Sequence, residues 1–148
     1  MTLVDTNLLV YATFADAPEH HRARAWLEAR FAEGEGTVAL CWPVVYAFLR
    51  LITSSRVFGQ HAVTVRRSWV VAAAYLKQPA VRLVAAGAGH MAIAAELAET
   101  SGLRSDDVPD MEIAALAIEH GLVLASHDHG FRRFARLRFV DPLIDVSP

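Results

Sequence analysis

The 148-residue chain is expected to fold as an α/β protein, with a central, mostly parallel sheet sandwiched between helices in three α/β/α layers. Short apolar runs alternate with helical patterns over the whole length, and no hairpin-type turn joins two successive runs. The length suits one substantial core, and no linker, repeat or low-complexity tract divides it, so residues 1–148 read as a single domain.

Thr2-Leu3-Val4 is an apolar run ending in Asp5-Thr6-Asn7, residues that favour turns and caps, and Leu8 to Tyr11 resumes the pattern as a short helix. From His20 to Glu33, Ala23, Trp26, Leu27 and Phe31 recur at helical spacing until Gly34-Glu35-Gly36 stops the run. Val38 to Leu40 is a second strand. Pro43 suits a first helical turn, and Val44, Val45, Phe48, Leu49 and Ile52 carry that helix to Thr53-Ser54-Ser55. Val63 to Lys77 is a further helix closed by Gln78-Pro79, Ala80 to Val84 a third strand, and Met91 to Thr100 a helix after Gly87-Ala88-Gly89. Pro109-Asp110 opens the next helix, which Gly121 terminates before the strand Leu122 to Ser126. Phe131 to Phe134 is a short helical turn and Leu137 to Val140 a last strand, closed by Asp141-Pro142.

Composition removes several classes of function. With 54% hydrophobic and 20% charged residues the chain is too apolar for a disordered linker. The lone Cys41 has no partner for a disulfide or a zinc set, which with the absence of a basic, apolar leader at Met1 to Asp5 suggests a reducing, cytoplasmic setting. Apolar stretches are interrupted by Arg82, His90 and glycines well before membrane-spanning length, so no membrane association is expected.

The formal charge of −2 conceals a strong asymmetry. No acid lies between Gly36 and Ala95, where Arg50, Arg56, Arg66, Arg67, Lys77 and Arg82 give +6, and the rest of the chain sums to −8. Among the acids, Asp5 ends the first strand and Asp128 follows the strand Leu122 to Ser126. If those strands are neighbours, both aspartates share the carboxyl rim of the sheet, where open α/β folds place their sites. Asp110 joins Ile113, Ala114 and Ala117 on the small apolar stripe of its helix, and an inward carboxylate there needs a partner. Grouped carboxylates call for a compensating cation, and hard oxygen donors suit Mg²⁺ or Mn²⁺, ions that activate water and neutralise phosphodiester charge. Taken singly, each aspartate has a plain structural role: an N-cap, a charge at a helix N-terminus, a turn residue.

The segments Leu3-Val4-Asp5-Thr6-Asn7-Leu8-Leu9-Val10-Tyr11, Phe48-Leu49-Arg50-Leu51-Ile52-Thr53 with Arg56-Val57-Phe58, Asp110 to Ala117, and Ser126-His127-Asp128 with Phe131 to Phe134 resemble a PIN domain. More narrowly, they are similar to the VapC toxin ribonucleases of type II VapBC toxin–antitoxin systems. The resemblance implies a PIN-like fold, a Mg²⁺- or Mn²⁺-dependent endoribonuclease acting on tRNA or rRNA, a VapB-type antitoxin partner and a homodimer. It also implies that Asp5, Asp110 and Asp128 are catalytic and metal-binding, with Asn7 and Ser126 as supporting hydrogen-bonders.

Two positions depart from that pattern. The usual second acid, a Glu before Phe-Leu-Arg, falls at Ala47, and Gly130 stands where many relatives carry Asp. Glu112 is rotated about 200° from Asp110 on an ideal helix and is a poor substitute, whereas Asp106 or Asp107 could reach inward. A module that binds RNA or antitoxin without cutting therefore remains an alternative. An aspartyl-nucleophile phosphohydrolase is a weaker one, because the first strand ends Asp5-Thr6-Asn7 rather than Asp-x-Asp.

Arg50 and the run Arg132, Arg133, Arg136 and Arg138 are candidate RNA-backbone contacts. His127 and His129 form an i, i+2 pair without the ligands of a tetrahedral zinc set, so exposed polar residues are the expectation. Trp42, Tyr46, Phe48 and Trp69 have spacings that fit core packing, with a dimer surface or antitoxin groove as the alternative.

Overall fold

A computed structural model describes residues 1–100 and 102–144; residue 101 and residues 145–148 of the expected domain lie outside this description. In chain order the elements are β1 (Thr2–Val4), α1 (Thr6–Thr13), α2 (His20–Ala32), β2 (Val38–Cys41), α3 (Trp42–Ile52), α4 (Ser55–Phe58), α5 (Val65–Leu76), β3 (Val81–Val84), α6 (His90–Ala98), α7 (Val108–Glu119), β4 (Val123–Ala125) and β5 (Arg138–Val140). Short 3₁₀ turns occupy Gly59–His61, Ser105–Asp107 and His129–Arg133. The expected strands and longer helices are all present, with ends shifted by a residue or two. The additions are α4 and the first two 3₁₀ turns, which are too short to show a period.

The sheet order is β3-β2-β1-β4-β5, and all four pairings are parallel. Helices flank the sheet in the expected α/β/α arrangement, with α1 packing on α2 and α3, α3 on α5, and α6 on α7. A parallel sheet covered on both faces needs strands that are apolar at every position. β2 is buried throughout, and Leu3, Val4, Leu124 and Ala125 are at most 1% exposed. The edge strands differ: β3 and β5 each expose an arginine, Arg82 and Arg138, which discourages further strand pairing.

The strand order reverses at β1. The chain moves outward through β2 and β3, then returns to place β4 on the other side of β1, with Val4 opposite Ala125. The crevice beyond the carboxyl ends of β1 and β4 is the topological switch point. α7 is aimed at this edge by both of its ends. Pro109 and Asp110 occupy its first turn, and at the other end Gly121, at φ +62°, closes the helix: Leu122 N–H donates to Ala117 C=O at 2.8 Å and Gly121 N–H to Ile118 C=O at 3.1 Å. This Schellman arrangement turns the chain directly into β4.

The aromatic residues of α3 and α5 correct an expectation. Phe48 is 1% exposed and lies in the core, but Trp42, Tyr46 and Trp69 are 37%, 60% and 43% exposed. Helical spacing places residues on a face without saying whether another element covers it, and here the outer faces of α3 and α5 are open. Phe48→Ala should accordingly cost about 3–5 kcal/mol of unfolding free energy, the usual range for a buried phenylalanine, whereas Tyr46→Ala should cost less than about 1 kcal/mol. Urea denaturation of the two variants measures the contrast.

Candidate active site

Asp5 is the first residue past β1 and Ser126 the first past β4. Asp5 N–H donates to Ala125 C=O at 3.0 Å, which extends the β1–β4 pairing to the rim. The Asp5 carboxylate caps α1, accepting Thr6 N–H at Oδ1 (2.6 Å), while Oδ2 accepts the Ser126 hydroxyl at 2.5 Å. Ser126 Oγ in turn accepts Asn7 Nδ2–H and Asp128 N–H, each at 2.9 Å. One donor proton and two acceptor lone pairs are all a serine hydroxyl has, so Ser126 is fully engaged. Asn7 Oδ1 accepts His127 N–H at 3.3 Å and ties the start of α1 to the segment after β4. Asp5, Asn7, Ser126 and Asp128 thus form one hydrogen-bonded network at the switch point.

Asp128 is exposed and accepts Gly130 N–H at Oδ1, 2.7 Å away, capping the 3₁₀ turn that follows. A Cβ at Gly130 would approach that oxygen to 2.9 Å and Arg133 Nη2 to 3.1 Å. The turn therefore holds Asp128 folded over a position that has no side chain.

Asp110 is half-buried in the first turn of α7. Burial, then the charges of Asp128, Asp5 and Asp107, push its pKa up to about 6, with Arg133 opposing. Asp5 is also raised: its burial outweighs the Ser126 and Thr6 hydrogen bonds, and Asp128 adds to the effect. The three aspartates expected to act together therefore feel one another's charge, although Asp110 arrives from a separate element.

Of the two loop acids, Asp107 is the one that reaches in. It accepts Arg104 N–H at 2.8 Å, pairs with Arg133 at 2.7 Å and raises Asp110, while Asp106 is exposed. Glu112 is exposed, yet its charge acts on Cys41 beside Asp5, so it lies nearer this edge than its angle from Asp110 suggests. Burial pushes the Cys41 thiol up to about 11, leaving it protonated and unreactive.

The basic candidates separate. Arg133 joins Asp107, and Arg132 lies over the Phe139 ring at 5.4 Å. Arg136 pairs with Glu96, and Arg138 reaches the Gly121 carbonyl. Arg50 is in the last turn of α3, a helix that starts at the carboxyl edge, so it lies about 12 Å along the axis from that edge. There it shares an open depression with Arg56.

His127 and His129 are not free polar residues. Both reach the same buried oxygen of Asp141, Oδ2, with His127 Nδ1 at 2.9 Å and His129 Nε2 at 2.7 Å. Sequence reasoning missed Asp141 because Asp-Pro after a strand reads as a terminator. Among the described residues, these three are the group whose candidate ligand atoms all lie within 4.8 Å of one another; Asp5, Asp110 and Asp128 are spread more widely.

Residues 2–137 match the PIN domain family. The chain is a PIN domain protein. Within that family it is 36% identical over 148 residues to ribonuclease VapC33 of Mycobacterium tuberculosis, covering 97% of this chain and 99% of that one. It is also 36% identical over 143 residues to VapC ribonuclease Mb2897 of Mycobacterium bovis, covering 97% and 96%. These matches place the chain among the VapC proteins. The same PIN fold recurs in the VapBC2 complex of Rickettsia felis bound to a promoter DNA fragment, with a TM-score of 0.67 at 15% identity over 94% of this chain and 96% of that one.

The raised Asp110 carboxyl makes a testable demand on this PIN domain. Its folded pKa exceeds its unfolded value, so its contribution to stability is full below about pH 4 and is lost as pH rises through about 6. Asp110→Asn should stabilise the protein at pH 7 by about 1 kcal/mol, or roughly 2–4 °C, with the difference vanishing at pH 4. Thermal melts of both proteins across pH 4–7 measure it.

Proposed function

We propose that this PIN domain is a Mg²⁺- or Mn²⁺-dependent endoribonuclease, the toxin of a VapBC-type toxin–antitoxin pair, with Asp5, Asp110 and Asp128 as its catalytic and metal-holding residues. The carrying observation is the Asp110 carboxyl at the switch point, which burial and then the charges of Asp128 and Asp5 push up to about 6, beside an Asp5 whose ionised form burial, with Asp128 adding, disfavours. A divalent cation relieves that repulsion, and a donor set of carboxylate oxygens fits a hard one. When bound, such an ion supplies an acidified water and neutralises charge on a phosphodiester.

The chain's own residues prepare the site. Ser126 and Thr6 fix the Asp5 carboxylate, and Ser126 also fixes the backbone that carries Asp128. Arg133 offsets part of the negative charge beside Asp110. Arg132, exposed on the turn after Asp128 and lying over Phe139, is the side chain we assign to an RNA phosphate, whereas Arg136 already faces Glu96. The open aromatic faces of α3 and α5 suit a VapB-type antitoxin or a second protomer.

A binding module without cleavage is favoured by one specific observation: the half-buried position on α3 that the resemblance assigns to an acid is Ala47. RNA cleavage by antitoxin-free protein separates the readings. Cleavage should require Mg²⁺ or Mn²⁺, stop in EDTA, and fall at least about 100-fold in Asp5→Asn and about 10- to 100-fold in Ser126→Ala, with circular dichroism unchanged. No cleavage by the wild type in either metal favours the binding module, and cleavage that survives Asp5→Asn removes the proposed site. In a second measurement, Mn²⁺ should raise the melting temperature of the wild type and leave that of Asp110→Asn nearly unchanged.

A further inference from the structure

His127, His129 and Asp141 remain unused by the ribonuclease reading. Asp141 follows β5 and is fully buried; its Oδ1 accepts Leu143 N–H at 2.9 Å, while both imidazoles converge on Oδ2. Burial alone would raise this carboxyl, but the bonds from His129, Leu143 and His127 hold it below its ordinary range, so it is present as the anion. An ordinary histidine–carboxylate hydrogen bond accounts for either contact singly. Here two rings from one turn take both lone pairs of one buried oxygen, an arrangement that brings three potential metal ligands together.

That convergence is close to a coordination shell. Borderline dications bind imidazole nitrogen at about 2.0–2.1 Å and carboxylate oxygen at about 2.0–2.2 Å, which sets tetrahedral donor atoms about 3.3 Å apart. The contacts of 2.9 and 2.7 Å with Asp141 need to open by only about half an ångström to reach that spacing. The surroundings already orient the ligands. Leu143 N–H fixes the carboxylate, His127 lies edge-on to Tyr11 with ring centroids 6.1 Å apart, and His129 lies edge-on to Phe139 at 6.3 Å. The two side chains are 29% and 49% exposed, leaving the outer coordination positions open to water.

We propose that His127, His129 and Asp141 form a second cation site, selective for a borderline transition-metal dication such as Zn²⁺ and separate from the all-carboxylate crevice of Asp5, Asp110 and Asp128. Nitrogen donors make the difference: imidazole suits Zn²⁺ and Co²⁺, while carboxylates alone suit Mg²⁺ and Mn²⁺. Asp128 lies between the two histidines in sequence, so a bound ion clamps the turn that carries it to the end of β5. The sequence lacked a third ligand for this pair, and the fold supplies it from 12 and 14 residues away.

The full-length Asp5→Asn/Asp110→Asn variant, which removes the hard site, is titrated with Co²⁺ and with Zn²⁺. One equivalent should bind with a visible Co²⁺ absorption band, and His129→Ala in that background should weaken Zn²⁺ by at least about 10- to 100-fold. In the wild-type protein, ¹⁵N-histidine spectra should show Zn²⁺ shifting the ring nitrogens of His127 and His129 among the seven histidines, a readout that requires no substitution. Absence of binding, binding indifferent to His129→Ala, or shifts confined to other histidines overturns the proposal. RNA cleavage plays no part in these outcomes, so this site and the ribonuclease reading stand or fall separately.

Discussion

The parallel pairing of β1 with β4 is the contact on which the candidate site depends, because it sets Asp5 beside Ser126 across a sequence separation of 121 residues. Two short strands, apolar but for Thr2, run in register, and the next residue of each is polar. Those polar residues meet at the carboxyl edge, where a polar group leaves the core without crossing a helix layer. The Ser126 hydroxyl then joins three pieces: the carboxylate after β1, the side-chain amide on α1 and the backbone that leads to Asp128. A small hydroxyl does this because it can give one hydrogen bond and take two; alanine would leave three polar groups in search of partners.

The carboxylates of this edge fall into two electrostatic classes. Asp5 and Asp110 are buried or half-buried among other carboxylates, and both are held above the ordinary range. Asp141 and Asp107 are held below it, Asp141 by two imidazoles and a backbone amide, Asp107 by the Arg104 amide and Arg133. Burial acts in the same direction on all four, so the partners decide the outcome. The members of the first class are under-compensated by the groups around them.

How much could be read from the sequence depended on the range of the interaction. Asp5 and Asp128 were legible because each follows an apolar run that could only be a buried strand. Asp110 was legible because counting three, four and seven residues along α7 reached Ile113, Ala114 and Ala117, all buried in the fold. The exposure of Trp42, Tyr46 and Trp69 was not legible, since periodicity cannot tell a covered face from an open one. Asp141 was not legible because its partners lie on another strand's exit, and Asp-Pro has a sufficient local explanation as a turn. Arg50 looked close to the acids only in sequence pattern; the length of α3 carries it away.

The division of charge noted in the sequence acquires a direction in the fold. The segment without acids contains β2, α3, α5 and β3, the β3-β2 flank of the sheet, whereas the surplus of acids belongs to segments that include β1, β4 and β5. The acid-free segment therefore sets its cations on the β3-β2 side of the crevice, although Glu35 from the acidic remainder pairs with Arg82 there. A long polyanion drawn to those cations meets a field that fades within about 10 Å at 0.1 M salt. Capture and arrival at the crevice become separate events with different sensitivities to ionic strength.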